Sequence, residues 1–135
     1  MAFVVWKDAY SVGVAELDSQ HQKLFGMINA LFDAMRLSRA DETLAPTFEG
    51  LVDYVSEHFA HEETLMEQCS YPELADQQTA HSRLTAKIAA FKRRFDDGDV
   101  AVARDLLSVL KIWLVEHILI SDRKYGPHLN RHGIL

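Results

Sequence analysis

The sequence predicts an all-α fold, an antiparallel up-down-up-down four-helix bundle preceded by an ordered N-terminal arm. Apolar residues recur at alternating steps of three and four through four separate stretches, the spacing of helices packed along one seam. Each stretch is bounded by helix punctuation, and the connections are too short to carry the chain back to the far end of a bundle. No alternating strand pattern competes. One domain over residues 1–135 accounts for the chain, with an arm at 1–17, the bundle at 18–125 and a tail at 126–135.

The arm, FVVWKDAYSVGVAEL, is apolar without helical period and has Gly13 in its middle, so it is expected to lay Trp6 and Tyr10 against the bundle. The first helix, from about Ser19 to Leu37, repeats Leu17, His21, Leu24, Ile28, Leu31 and Met35. Glu16 and Asp18 just before it read as first-turn anions or caps. The second repeats Phe48, Leu51, Val55, His58, Glu62 and Leu65; Pro46 is comfortable only in a first turn, which puts the start near Thr43 or Leu44 and the end near Cys69.

Ser70 and Glu73 fit a capping box with Pro72 in the first turn, so the third helix is expected to start at about Tyr71. Its seam is Leu74, Gln77, His81, Leu84, Ile88, Phe91 and Phe95. Asp96, Asp97 and Gly98 break that pattern, and Asp99 can cap the fourth helix, which shows Ala103, Leu106, Leu110, Trp113, His117 and Ile120. Gly126 and Pro127 are expected to end it.

Composition excludes several functions. Hydrophobic residues at 48% and charged residues at 25% suit a soluble globular protein, and a net charge of -6 with no basic face argues against a nucleic-acid partner. The KRR cluster at 92–94 sits near a helix end, where cations offset the macrodipole. No segment has the apolar length of a membrane span, and the first residues lack the pattern of a signal peptide, so a cytoplasmic protein without membrane insertion is expected. Cys69 is the only cysteine, which leaves neither an intrachain disulfide nor a thiolate metal site; pairing between chains stays open, and a monomer is expected. Any metal must be held by nitrogen and oxygen.

Four of the seven histidines, His21, His58, His81 and His117, fall on the four apolar seams, one to each helix. One histidine on such a stripe is ordinarily a hydrogen-bonded core residue. Four buried together would each cost on the order of 1–3 kcal/mol unless something used their lone pairs, and a metal ion does. Antiparallel packing puts them at the same end of the bundle, along with Glu62 one turn after His58 and Gln77 one turn before His81. Asp122 follows His117 by five residues, roughly 140° around a regular helix, so it reaches the same site only if the helix loosens there. His61, Glu63 and Glu67 read as the wet face of the second helix, and His128 and His132 follow the Gly-Pro break; none is assigned chemistry. Four imidazoles and two carboxylates exceed the needs of one tetrahedral zinc, and two ions bridged by Glu62 and Asp122 satisfy the set. Iron fits such a pair best, although spacing alone leaves manganese and zinc open.

These residues resemble a known family. His21, the run HFAHEE with His58 and Glu62, His81, and WLVEHILISD with His117 and Asp122, preceded by the arm pattern W-x3-Y-x-V-G, make the chain similar to the bacterial hemerythrins over essentially its whole length. The resemblance implies a non-haem diiron site that binds dioxygen reversibly at one iron, with Glu62, Asp122 and an oxo or hydroxo group as bridges. It implies that one iron takes His21 and His58 and keeps an open position. The other would take His81, His117 and a third histidine four residues before His81, where this chain has Gln77. That amide is a weaker donor, and either it ligates or a water fills the vacancy.

The resemblance therefore implies a dioxygen-binding protein for oxygen carriage, storage or sensing, without a catalytic residue. Phe25, Ile28, Trp113, Leu114 and Ile118 are candidates for the wall of a dry oxygen pocket. The alternative is a diiron oxidoreductase with peroxidase or oxidase activity, in which Gln77 opens one iron to exogenous ligand. A redox or oxygen-consuming protein is a candidate partner. Metal storage or a purely structural bundle ranks last.

Overall fold

The computed structural model describes residues 3–36, 44–99 and 101–135. Helix α1 spans Ala15–Arg36, α2 Ala45–Gln68, α3 Leu74–Asp96 and α4 Val102–Glu116; a π-helical segment, His117–Asp122, then leads into α5, Arg123–Arg131. α1 packs on α2 and α4, and α3 packs on the same two, which is the closed ring of an up-down-up-down bundle. The predicted seams form its core: Leu17, Ile28 and Leu31 from α1, Phe48 and Leu51 from α2, Leu84 and Ile88 from α3, and Leu106 and Leu110 from α4 are all buried.

The arm packs as expected, with Trp6 and Tyr10 each 5.5 Å from the Phe25 ring. Asn29 ties it down further by accepting from the backbone N–H groups of Phe3 and Val4 and donating to the Val4 carbonyl, all at 2.9 Å. Asp18, an anion in the first turn of α1, accepts from the Ser11 hydroxyl and the Val12 amide and so ties the arm to the helix. Helix α1 nevertheless starts at Ala15, four residues before the expected Ser19. Leu37 and Thr43 lie outside the described residues.

Three punctuation readings are corrected. Ser70 and Glu73 do not form a capping box: Ser70 has φ 52°, and the bonds Tyr71 N–H to Met66 O and Ser70 N–H to Glu67 O close a Schellman motif at the end of α2. Helix α3 therefore begins at Leu74 and not at Tyr71. Asp99 spends its carboxylate on Arg94, at 2.9 and 3.2 Å, and not on capping α4. Gly126 and Pro127 do not end the fourth helix, because the chain stays helical to Arg131 with Pro127 inside it.

The last point has a physical cause. An interior proline costs roughly 3 kcal/mol, whereas burying Tyr125 and Leu129, both 0% exposed, returns on the order of 1.5–3 kcal/mol each. Packing overrides propensity. Gly126 serves close approach: a Cβ there would lie 1.8 Å from the Val12 carbonyl oxygen of the arm. Asn130 adds a 2.9 Å bond to the Gly13 carbonyl, so α5 and the arm close one end of the bundle together.

Candidate metal centre

All seven polar residues singled out on the seams are buried and gathered at one end of the bundle: His21, His58, Glu62, Gln77, His81, His117 and Asp122 are at most 7% exposed. Two groups stand out, His21 with His58 and Glu62, and His81 with His117 and Asp122; within each, one ligand atom per residue lies within 4.8 Å of the others. An ion with bonds of about 2.0–2.2 Å separates its ligand atoms by roughly 3–4.5 Å, so either group closes on a cation with small side-chain shifts. The carboxylates face both groups. Glu62 lies 3.2 Å from His58 Nε2 and 3.4 Å from His81 Nε2, while Asp122 lies 3.0 Å from His117 Nε2 and 3.5 Å from His21 Nε2.

Asp122 reaches this position because the helix widens to π geometry over His117–Asp122. The extra residue per turn advances the inward face, which brings Asp122 to 1% exposure and leaves Ile120, expected on the seam, at 62%.

Hydrogen bonds on the outer imidazole nitrogens fix what the inner ones present. His58 Nδ1 donates to Gln20 Oε1 at 2.7 Å, and His81 Nδ1 donates to the Glu63 carboxylate at 2.8 Å. A carboxylate or amide oxygen only accepts, so in the neutral rings each Nε2 turns a lone pair toward Glu62. Among the described residues, His21 Nδ1 and Nε2, Glu62 Oε1 and His81 Nε2 are buried side-chain atoms without a hydrogen-bond partner. Lone pairs facing a carboxylate in a buried site repel unless a proton or a metal cation lies between them. The donor set thus fits cations bound by nitrogen and oxygen.

Without metal, protons fill part of that role. Burial alone would lower the His21 and His81 pKa values, but hydrogen bonds and charge from Glu62, with further charge from Asp122, raise both above 6.5. Burial would raise Glu62, yet the charge of His58 and hydrogen bonds from His21, His58 and His81 hold it well below the usual carboxylate range. Asp122 goes up, through burial and repulsion from Glu62. The two carboxylates are unequal: Glu62 is the fixed anion of the site.

Gln77 sits inside the second group. Its amide donates to Asp122 Oδ1 at 3.3 Å, and its Oε1 accepts from His117 Nε2 at 2.9 Å. The glutamine on the seam is therefore a member of the polar cluster and not a misplaced surface residue. Of the expected pocket residues, Phe25, Ile28, Leu114 and Ile118 are buried. Trp113 is partly buried and stacks on His117 at 4.2 Å, at the second group.

Three residues were not assigned a part from sequence. Glu63, read as wet face, orients His81 from a partly exposed position; Gln20 precedes His21 and carried no signal beyond its neighbour. Tyr125 lay in the expected helix terminus, yet its hydroxyl donates to Glu62 Oε2 at 2.5 Å, and burial with the Glu62 charge raises its pKa well above 10. His61, Glu16, His128 and His132 stay outside the cluster, with His61 3.0 Å from Glu16 and His128 bonded to the Cys69 carbonyl. Cys69 itself is buried, which does not favour pairing with a second chain.

Comparison with known proteins agrees with this geometry. Residues 12–129 match the hemerythrin HHE cation binding domain. The chain is 33% identical to a bacteriohemerythrin of Methylococcus capsulatus over 131 residues, covering 96% of this chain and 99% of that protein. It is 35% identical over 125 residues to a myohemerythrin of Riftia pachyptila, covering 93% and 92%. A wild-type hemerythrin crystal structure superposes with a TM-score of 0.89 at 32% identity, over 95% of this chain and 98% of that one. Family match, identity and fold coincide on the helices that carry the buried cluster, and the chain belongs to the hemerythrin family.

Proposed function

We propose that the protein binds dioxygen reversibly at a non-haem diiron centre and serves in oxygen carriage, storage or sensing. His21 and His58 would hold one iron, His81 and His117 the other with Gln77 as a weak sixth donor, and Glu62 and Asp122 would bridge. The single observation behind this reading is the pair of buried histidine–carboxylate groups, each gathered within 4.8 Å, in a chain of this family. The iron pair supplies a redox-active metal with a free position for dioxygen.

The chain's own residues do the rest. Glu62 and Asp122 neutralise charge between the groups, Gln20 and Glu63 fix two imidazoles, and Tyr125 offers a buried proton to Glu62. Phe25, Ile28, Leu114 and Ile118 are proposed to exclude water around the His21 and His58 side.

An anaerobic iron(II) titration followed by air tests it. Two irons per chain and a visible band that disappears when oxygen is removed are expected; two irons with an irreversible change would transfer the protein to the oxidoreductase reading, and no iron uptake would overturn both. Stopped-flow mixing separates the first two outcomes by the lifetime of the band.

A further inference from the structure

The two metal groups differ in how they meet solvent. Along α1 from His21, residues Leu24, Phe25 and Ile28 are buried, and His21 itself is 0% exposed. Beside the second group lies a cavity of about 90 Å³ with Gln77 and His117 in its lining, walled by Tyr71 and Ser121. Exposed Glu73, Asp76 and Lys124 complete it. That volume holds about three waters.

We propose that this cavity is a polar access site through which a small, neutral, hydrogen-bonding molecule, water or hydrogen peroxide, reaches the metal held by His81, His117 and Asp122. The proposal rests on the diiron reading above and adds a second point of ligand entry to it. Three observations converge. Gln77, 4% exposed, spends both ends of its amide on members of the group, its Nε2 on Asp122 and its Oε1 on His117, so ligand and cavity share one side chain. Beside the charged Glu73, Asp76 and Lys124 the lining offers hydroxyl, amide and imidazole groups, with the Tyr71 hydroxyl donating to Glu73 at 3.1 Å, which suits a molecule that both donates and accepts. Two carboxylates against one ammonium at the cavity disfavour an anion.

An amide oxygen binds a transition metal less firmly than imidazole, so Gln77 is the ligand that yields to an incoming molecule.

The test uses the manganese(II)-loaded chain, with metal counted in every sample and water-proton relaxation measuring exchange of water at the metal. The parent is expected to show rapid exchange, and Gln77→His to lower the enhancement about twofold or more as imidazole fills the position. Ser121→Leu, which narrows the cavity without touching a ligand, is expected to do the same if Gln77→His misfolds. Millimolar azide should leave in place the share of the enhancement that Gln77→His removes. Two metals bound in all three proteins with equal relaxation would overturn the access site, and loss of that share to azide would overturn its preference for neutral ligands. A chain that binds no metal overturns the diiron reading as well, which the metal count distinguishes.

Discussion

Glu63 accepts the Nδ1 proton of His81 at 2.8 Å, so a partly exposed acid on α2 sets the direction of a buried imidazole on α3. The equivalent partner of His58 is the neutral amide of Gln20 at 2.7 Å. A carboxylate raises the basicity of the imidazole that it holds, and it does so in the group that contains Gln77. Glu63→Ala is expected to weaken one of the two metals by roughly 10- to 100-fold, and Glu63→Gln by less, because an amide oxygen still accepts the bond. Chelator competition reads this directly, and two equally tight metals in Glu63→Ala would refute the role.

Gln77 is expected to make the metal that it faces the weaker-held of the pair. The amide oxygen accepts from His117 Nε2, and that proton must leave before His117 can ligate. Gln77→His adds an imidazole and is expected to slow chelator-driven loss of the second metal about tenfold or more, leaving the first unchanged. Equal metal content and equal loss rates in parent and variant would count against this.

Tyr125 and Glu62 form a buried pair, both at most 1% exposed, with a bond of 2.5 Å. Tyr125→Phe keeps the ring and removes the donor to a charged acceptor, which is worth about 1.5–3 kcal/mol. Urea denaturation of the metal-free chain should show a loss of that order at unchanged m-value. A loss well under 1 kcal/mol would show that the hydroxyl is dispensable.

Ser70 is the one described non-glycine residue with positive φ, at 52°, and it occupies the C′ position of the Schellman motif that ends α2. Left-handed backbone costs a residue with a Cβ on the order of 1 kcal/mol, and glycine escapes that cost. Ser70→Gly is expected to raise stability by roughly 0.5–1 kcal/mol without altering metal content. A lower melting temperature would contradict it.

The bundle was legible in the sequence because its cores repeat with helical period, and the buried polar cluster was legible because histidines and a carboxylate interrupt those repeats at matching heights. Residues that act through geometry outside the period were not. Glu63 is one step off the seam and looks solvated; Tyr125 sits two residues before Pro127 in a stretch whose local propensity says stop. Asp122 was the intermediate case: its offset of five from His117 demanded a loosened helix, and the π segment supplies it. Ser70 misled because serine suits an N-cap chemically, whereas the bond from Tyr71 to Met66 made it the end of the preceding helix. Local residue type could not decide between the two.

Protons and metal should compete for the same stabilising role. In the metal-free chain His21 and His81 have pKa values raised above 6.5, chiefly by Glu62 overcoming burial, so their stabilising contribution is full below about 6.5 and is lost as pH rises through the raised values. Glu62 is lowered, so its contribution is present above its ordinary 4.5 and lost only as pH falls through the depressed value. As pH rises above about 6.5 the histidines dominate, and the melting temperature of the metal-free chain is expected to fall. Metal binding needs deprotonated imidazoles and strengthens over the same interval. Calorimetric scans of metal-free and metal-loaded samples should therefore diverge with rising pH. Parallel curves would mean that the protons and the metal do not compete for the same buried nitrogens.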